Sequence, residues 1–328
     1  MILSDAGDAK PAKNRAGFFD YLAIARLDHS AKHIFIVPGL CLAYLLRGVR
    51  TEHLFVSMAL GLVAAICVAS ANYVINEYLD RDFDRHHPTK SQRSAVQSEM
   101  SGKVIVFEWL MLLAVGLGCA RSVSLSMFAI ACVFAFQGVI YNVPPVRSKD
   151  VAFLDVISES INNPLRLMIG WTMVDPTSLP PSSVILAYWC GGAFLMAAKR
   201  LSEYREIASA HGLSQLIRYR ASFSGYSEVS LTASCLVYSL LSMAFLSVFL
   251  VKYRIEYILI LPIIVTLFTS YFVLSTTPDS SAQKPEKLYR EKGLIGIVGL
   301  LAAVFLVSTF VDMPFLSELT GQHFIVLP

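Results

Sequence analysis

The most polar segment of the chain reads NEYLDRDFDRHHPTKSQR, from Asn76 to Arg93, and follows directly on a long apolar run. Within it Asn76, Asp80 and Asp84 recur every four residues, a spacing that stacks side chains along one stripe of a helix. Glu77 lies one turn before Asp80 and can join them. Acids at this spacing repel one another, so a divalent cation is a natural partner, and carboxylate and amide oxygens suit Mg²⁺. The alternative is a solvated helix end whose acids pair with neighbouring bases.

Basic residues continue the segment in a way that suits phosphate. Mg²⁺ usually takes one or two carboxylates from a protein and fills its shell with waters and substrate phosphates. Arg85, Lys90 and Arg93 follow the acids and are positioned to hold such phosphates. Zinc at His86 and His87 is disfavoured because adjacent side chains point to different faces. The segment therefore predicts Mg²⁺ as cofactor, with Asn76, Glu77, Asp80 and Asp84 as ligands.

Apolar residues dominate the rest of the chain. Of its 328 residues, 55% are hydrophobic and 16% charged, with a mean hydropathy of +0.58, whereas a soluble domain carries about 25% charged residues. Runs of bilayer length, about 20 residues, recur along it, and lipid leaves unsatisfied backbone groups no partner, so helices are the reasonable spanning element. The predicted fold is all-α and polytopic, with about nine transmembrane helices near residues 33–49, 54–77, 104–121, 124–143, 152–173, 183–199, 229–251, 256–275 and 294–311.

Three parts follow from this pattern. Residues 1–25 form a polar cytoplasmic tail that leads into an interfacial helix, residues 26–312 form the transmembrane domain, and residues 313–328 form a C-terminal segment. The six cysteines all lie in apolar spans without C-x-x-C spacing. They are interpreted as small core residues rather than as a disulfide framework or a metal site.

Lysine and arginine are distributed unevenly between the two sides of the predicted bundle. The amino-terminal segment and the loops after the second, fourth, sixth and eighth spans hold 21 of the 27. The positive-inside rule places this face in the cytoplasm, which predicts an integral protein of the bacterial inner membrane whose active site faces the cytoplasm. Such a face attracts lipid headgroups and polyanionic substrates, although the same bias can serve topology alone. We expect membrane lipid, and no nucleic acid, as a partner.

The loop after the fourth span carries a second set of polar residues. Two prolines, residues 144 and 145, stop the helix and leave Tyr141, Arg147 and Lys149 near its end. Asp155 follows one turn into the next span. An interfacial Tyr/Arg/Lys anchor is the alternative interpretation.

The fifth and sixth spans contain charges at or near membrane depth. Arg166 lies two turns after Glu159, and a buried charge normally faces the bundle interior with a partner. A Glu159–Arg166 pair and a cavity lining are both open. The sixth span ends in Lys199, Arg200 and Glu203, which form either a self-paired helix end or a second polar wall facing the acidic stripe.

Two of these segments are similar to a known family. Asn76-Glu77-x-x-Asp80-x-x-x-Asp84 resembles the N-D-x-x-D-x-x-x-D motif of the UbiA superfamily of intramembrane prenyltransferases, with Glu77 where the family usually has Asp. The loop from Tyr141, with its Pro-Pro pair, also resembles the family's loop after helix 4. The resemblance implies about nine helices around a central cavity, a Mg²⁺-bound diphosphate at the cytoplasmic end and a lateral opening to lipid.

A third segment departs from the usual family pattern. Typical members carry a D-x-x-x-D-like pair at the end of helix 6, where this chain has Lys199-Arg200-x-x-Glu203. That element looks like the decaprenyl-phosphate phosphoribosyltransferase branch, which implies phosphoribosyl pyrophosphate as donor and a polyprenyl phosphate as acceptor. Further similarities to that branch lie at Arg26, Lys32, residues 84–93, Pro285, Glu286 and Arg290.

Three functions are left open at this point. In the first, phosphoribose passes from its diphosphate donor to a polyprenyl phosphate. In the second, a polyprenyl group passes from a prenyl diphosphate to an aromatic or lipid acceptor. The third is a non-enzymatic transporter or lipid-binding protein, and a homo-oligomer is left open with each. For the two enzymes, the predicted catalytic residues are Asp80, Asp84 and Tyr141. The predicted substrate-binding residues are Lys32, Arg85, Lys90, Arg93, Arg147, Lys149, Lys199, Arg200 and Glu203.

Overall fold

The computed structural model describes residues 14–87, 89–277 and 291–320. These ranges are helical almost throughout and contain no β-sheet, only an isolated bridge between Arg15 and Glu99. The α-helices are, in chain order, α1 (Phe18–Ile24), α2 (Val37–Arg47), α3 (Leu54–Asp84), α4 (Ser94–Gln97), α5 (Gly102–Val123), α6 (Leu125–Asn142), α7 (Leu154–Ser160), α8 (Asn162–Val174), α9 (Ser182–His211), α10 (Leu213–Tyr219), α11 (Glu228–Tyr253), α12 (Leu261–Thr276), α13 (Lys292–Phe310) and α14 (Pro314–Thr320).

The all-α membrane fold is confirmed, whereas the count of nine spans is not. Seven helices among the described residues are long and apolar enough to cross a bilayer, or eight if the bent pair Phe18–Ser30 and Lys32–Arg47 is one span. The predicted span 152–173 is divided between α7 and α8 at Ile161. Pro164 lies in the first turn of α8, where proline is tolerated because the backbone N–H groups there have no intrahelical partner.

Two helices extend well beyond the spans predicted for them. The 31 residues of α3 rise about 46 Å at 1.5 Å per residue, and a hydrocarbon core is about 30 Å thick. The last turns of α3, which carry the acidic stripe, therefore project beyond the apolar layer. Helix α9 likewise continues to His211 instead of ending near residue 199. Both polar walls of the site are thus rigid helical extensions rather than loops.

Small side chains line the helix contacts at the centre of the bundle. Helix α3 packs between α5 and α6, and Ala64, Ala65 and Ala71 on it are fully buried. Small residues let helix backbones approach closely, which is the main source of helix association in a membrane. The outer helices are different, because only 17% of the apolar window of α5 and 11% of that of α13 are buried within the protein. Lipid covers the remainder.

The remaining sequence predictions concern the two ends of the chain and the loop before α13. The short helix α1 lies where the interfacial helix was predicted, with Phe18 76% and Phe19 82% exposed. The similarities at Pro285, Glu286 and Arg290 lie outside the described residues. So do the first 13 residues of the predicted amino-terminal tail and the last eight of the predicted C-terminal segment.

Candidate active site

Two adjoining cavities lie where α3, α6, α7 and α9 converge. The polar cavity has a volume of about 120 Å³ and lies beside the acidic stripe of α3. The central cavity has a volume of about 350 Å³ and lies among α3, α6, α8 and α9. They share a set of lining residues, so the polar cavity opens onto the central one: His29, Lys32, Tyr73, Asn76, Tyr141, Glu159 and Lys199.

The polar cavity has an excess of positive charge. Nine lysine or arginine side chains line it, against five aspartate or glutamate side chains. An excess of basic groups around a partly enclosed space raises the local concentration of anions. The bases are Arg26, Lys32, Lys90, Arg93, Arg147, Lys149, Lys199, Arg200 and Arg220, and the acids are Glu77, Asp80, Asp84, Asp150 and Glu159.

Each acid of the α3 stripe is paired with a base. Asp80 Oδ1 lies 2.6 Å from Lys149 Nζ and 2.8 Å from Arg147 Nη2. Asp84 Oδ2 lies 2.8 Å from Arg93 Nη1. The same Arg93 atom lies 2.9 Å from Glu77 Oε1, which also receives a 2.9 Å contact from Arg26 Nη1. The acids therefore converge on one cavity and pair with its bases, but Glu77 and Asp84 are buried rather than solvated.

The oxygen atoms that remain fit a Mg²⁺–diphosphate half-site. Asp80 Oδ2 accepts only a 3.2 Å hydrogen bond from Asn76 Nδ2, while both of that residue's ion pairs use Oδ1. Asp84 Oδ1 forms no ion pair with any described residue. No group of three or more His, Cys, Asp or Glu among the described residues could enclose a metal by itself. One or two carboxylates completed by phosphate and water is the usual mode for Mg²⁺.

Asn142, which sequence reasoning missed, connects α3 to the loop after α6. Its Oδ1 accepts hydrogen bonds from Asn76 Nδ2 at 2.6 Å and from Lys149 Nζ at 2.8 Å, and the residue is only 3% exposed. Its backbone oxygen accepts from Arg147 Nη1 at 3.2 Å. The one signal in the sequence was its position between Tyr141 and the Pro-Pro pair.

Two bases of the polar cavity lie on strained backbone. Arg26 has φ of 51° and Arg147 has φ of 29°, in the region that L residues with a side chain rarely adopt. Each such residue costs on the order of 1–3 kcal/mol and persists only where its surroundings hold it. Here the ion pairs to Glu77 and Asp80 supply that hold.

The wall facing the stripe is built around Arg200. This side chain is 1% exposed, with Nε 3.0 Å from Asp155, Nη1 2.9 Å from Glu203 and Nη2 3.4 Å from Glu159. Tyr141 donates a 2.6 Å hydrogen bond to Glu159. The charge of Arg200 is therefore already compensated by carboxylates from α7 and α9.

Three lysines around the polar cavity form no ion pair of this kind with a described residue. Within the described residues, no carboxylate lies within ion-pair distance of Lys32, Lys90 or Lys199, although all three line the cavity. Lys90 Nζ lies 4.8 Å from the centre of the Tyr219 ring. Burial disfavours the ammonium form and lowers the pKa of Lys90 to about 8. These cations are available to an anionic ligand.

Comparison with known proteins places the chain in a family. The model of the UbiA prenyltransferase family matches residues 34–292. The chain belongs to this family. Nodulation protein NoeC of Azorhizobium caulinodans is 30% identical over 192 residues, 58% of this chain and 59% of that protein. Protoheme IX farnesyltransferase of Geobacillus thermodenitrificans is 29% identical over 175 residues, 51% of this chain and 55% of that one. The chain thus spans somewhat more than half the length of these relatives.

A solved structure shares the fold of this UbiA-family protein. A UbiA homolog from Archaeoglobus fulgidus bound to GPP and Mg²⁺ superposes with a TM-score of 0.65 at 21% identity. The match covers 89% of this chain and all of that one. The Mg²⁺ in that homologue agrees with the cofactor predicted for this chain from the acidic stripe.

The geometry of this UbiA-family protein differs from two sequence predictions and from one of the alternatives that the sequence left open. Arg85 does not line the polar cavity; it is exposed and pairs with Asp82 at 3.2 Å. Glu203 does not line the polar cavity, because its buried carboxylate pairs with Arg200 at 2.9 Å. The Glu159–Arg166 pair does not form, since Glu159 is bound by Arg200 and Tyr141.

Proposed function

We propose that this chain is a Mg²⁺-dependent transferase that moves phosphoribose from phosphoribosyl pyrophosphate to a polyprenyl phosphate. The observation that carries the proposal is the set of lysines without an ion pair to a described carboxylate, Lys32, Lys90 and Lys199, beside the acidic stripe that would hold the Mg²⁺-bound diphosphate. A donor with a phosphate separate from its diphosphate has more negative charge to place than a prenyl diphosphate has. Lys199 lies on α9, across the cavity from the α3 stripe, where such a second phosphate would find it.

The bases paired with the stripe would serve the diphosphate itself. When bound, Mg²⁺ would stabilise the negative charge of the departing diphosphate. Asp80, Asp84 and Asn76 are the residues that would hold it, through the oxygens not engaged in ion pairs. Arg93 and Lys149, which now contact those acids, would then turn to the phosphate oxygens.

Bond changes at the donor carbon need little acid–base chemistry. The bond from the anomeric carbon to the diphosphate oxygen breaks, and its electron pair leaves with the diphosphate. An oxygen of the acceptor phosphate forms the new bond to that carbon. Because this oxygen is already anionic, no strong general base is required. Glu159, held by Tyr141 at 2.6 Å, lines both cavities and would face the positive charge that develops at the carbon.

Prenyl transfer is the second candidate, and the comparisons favour it specifically. The homologue with the same fold binds GPP and Mg²⁺, and one relative is a farnesyltransferase. The apolar part of the central cavity, which includes Phe35, Phe134 and Leu195, would shield an allylic cation from water. The two candidates share the metal and the diphosphate and differ in the group transferred.

Parallel assays of the purified protein in lipid nanodiscs separate the candidates. One arm receives labelled phosphoribosyl pyrophosphate with polyprenyl phosphate, and the other receives a prenyl diphosphate with a panel of aromatic and lipid acceptors, each with and without Mg²⁺. Mg²⁺-dependent product in the first arm alone is expected. Product in the second arm alone would refute phosphoribosyl transfer, and no product in either arm would refute both enzyme functions.

We further propose that the polar cavity faces the cytoplasm of a bacterial inner membrane. Support comes from the concentration of lysine and arginine in the segments that the sequence places on that side of the membrane. Gln215 lies on the same side, where its amide donates to the backbone oxygen of His86. A Gln215→Cys variant should resist a membrane-impermeant thiol reagent in intact cells and react in inverted vesicles. The opposite pattern would contradict the orientation.

A further inference from the structure

Arg166 of α8 is a charged side chain inside the central cavity that the proposed reaction does not use. It lines the cavity and is 6% exposed. One guanidinium nitrogen, Nη1, donates to the backbone oxygen of Asn162 at 3.3 Å, and the Cζ atom lies 5.1 Å from the centre of the Phe134 ring. Its Nε has no hydrogen-bond partner among the described residues. The charge is therefore buried without an ion pair to any described carboxylate.

Among the described residues that line the central cavity, the one acid is Glu159, and its hydrogen-bond and ion-pair partners are other side chains. Glu159, two turns earlier in sequence, lies 3.4 Å from Arg200 and accepts a hydrogen bond from Tyr141. An ion held in a low-dielectric interior without a counter-ion is unfavourable, and within membrane segments such ions commonly mark ligand sites. Arg166 is thus better explained by a ligand than by the packing of the bundle.

Two asparagines of the same helix line the central cavity together with Arg166. The Oδ1 of Asn162 is buried without a hydrogen-bond partner among the described residues. Asn163 lies against Gly192, where an added Cβ would come within 2.1 Å of its Nδ2. Only glycine at that position of α9 leaves room for the amide. Arg166, Asn162 and Asn163 therefore form one polar group on the cavity wall, opposite Phe134.

This polar group lies next to the floor of the polar cavity. Side chains lean toward the amino terminus of their helix, and the contact with the Asn162 carbonyl puts the guanidinium at the level of Asn162. Glu159, three residues earlier, lines both cavities. The two cavities adjoin at Glu159 and the other residues that line both of them. An anion at Arg166 would therefore lie in the central cavity, which opens onto the cavity beside the stripe.

We propose that Arg166, with Asn162 and Asn163, binds the anionic oxyacid head of the acceptor, a phosphate or a carboxylate, beside the reacting carbon of the donor. The identification of the bound molecule as the acceptor rests on the proposed transferase function, whereas the binding of an anion at Arg166 rests on the geometry alone. The lipid tail or ring of the same molecule occupies the apolar remainder of the central cavity.

Binding measurements without turnover test the subsite. The purified protein, with Mg²⁺ and pyrophosphate present, is titrated with polyprenyl phosphate and with the polyprenol of the same length. In a second arm it is titrated with an aromatic carboxylate and with the corresponding amide. In at least one arm the wild type should bind the anionic member ten or more times as tightly, which corresponds to about 1.4 kcal/mol. The arm with the larger ratio identifies the oxyacid as phosphate or carboxylate.

Substitutions assign that preference to Arg166. In Arg166→Met the ratio should fall to about one, while affinity for the neutral member and for Mg²⁺–pyrophosphate stays within twofold of wild type. Arg166→Lys should retain part of the ratio, because an ammonium keeps the charge but loses the planar fork. Arg121→Met, at an exposed position of α5, is the matched control and should change nothing. A preference that persists in Arg166→Met would overturn the proposal.

Thermal stability separates a binding role from a structural one. Replacing an uncompensated buried cation by methionine should leave the melting temperature of the protein without ligand unchanged or higher. A Met variant that melts several degrees lower, or does not fold, would indicate a structural arginine and would also overturn the proposal. If no donor is turned over in the nanodisc assays but the anionic ligand still binds more tightly than the neutral one, the proposed function fails and the subsite stands. If transfer occurs but the two ligands bind equally, the proposed function stands and the subsite fails.

Discussion

Lys199→Gln removes one of the three cations of the polar cavity that form no ion pair with a described carboxylate. If Lys199 binds the phosphate that is separate from the diphosphate, one charge-assisted hydrogen bond is lost. Such a bond contributes about 1.5–3 kcal/mol. At about 1.4 kcal/mol per factor of ten, the KM for phosphoribosyl pyrophosphate should rise about 10- to 150-fold. The KM for a prenyl diphosphate should change less than about threefold, because the bases beside the stripe of α3 still serve its diphosphate.

Stability provides an independent check on the same variant. Because Lys199 forms no ion pair with a described residue, its replacement should not lower the melting temperature of the protein. The assay is initial-rate kinetics for both donors in nanodiscs, with Lys252→Gln, an exposed lysine of α11, as the matched control. An unchanged KM for phosphoribosyl pyrophosphate would refute the assignment. Equal losses for both donors, accompanied by a lower melting temperature, would also refute it and would indicate a structural lysine.

Three further substitutions test the surrounding wall and stripe. Arg200→Met should lower stability by about 3–5 kcal/mol in chemical unfolding, because it leaves the buried carboxylates around Arg200 without their cation; a fully stable variant would contradict that account. Asp80→Asn should reduce kcat/KM by about 10²–10³-fold with the protein still folded. Asp82 is 65% exposed on the same helix, and Asp82→Asn should retain activity as the matched control. Equal activity of the two variants would exclude a catalytic role for the stripe. Burial lowers the pKa of both Lys90 and Lys149 to about 8, so these groups lose their charge and donor affinity should fall as the pH rises through that value. Lys90→Arg should remove one proton from the slope of log KM against pH, and an unchanged slope would exclude Lys90 as the titrating group. Between about pH 8 and 10.5 the Lys90 side chain is protonated in the unfolded state but not in the folded state. The contribution of Lys90 to the free energy of unfolding therefore rises with pH over that window.

The features that the sequence predicted correctly depend on local periodicity. Apolar runs of bilayer length predict helices because lipid gives backbone groups no other partner. The spacing of Asn76, Asp80 and Asp84 predicts one polar stripe because a helix repeats every 3.6 residues, and in the structure all three lie on α3. The family pattern in that stripe also led directly to the UbiA family, which the match over residues 34–292 confirms. None of these features depends on contacts between distant parts of the chain.

Pairing across the bundle could not be predicted in this way. Sequence spacing suggested Glu159 as the partner of Arg166, but the structure gives Glu159 to Arg200, which lies 41 residues further along the chain. The break between α7 and α8 likewise divides a run that looked like one span. Hydropathy averages over such a run and does not detect the interruption.

The sequence by itself determined the helical membrane fold and the acidic stripe, because both depend on residues within a few turns of one another. Only the tertiary structure decided which charges are compensated. The charge of Arg200 is paired because three carboxylates reach it from α7 and α9, while Lys199 beside it forms no ion pair with a described residue. Two adjacent basic residues with the same pattern in the sequence thus have different chemistry. The physical reason is that ion pairing depends on distance in space and on burial, which are set by helix packing.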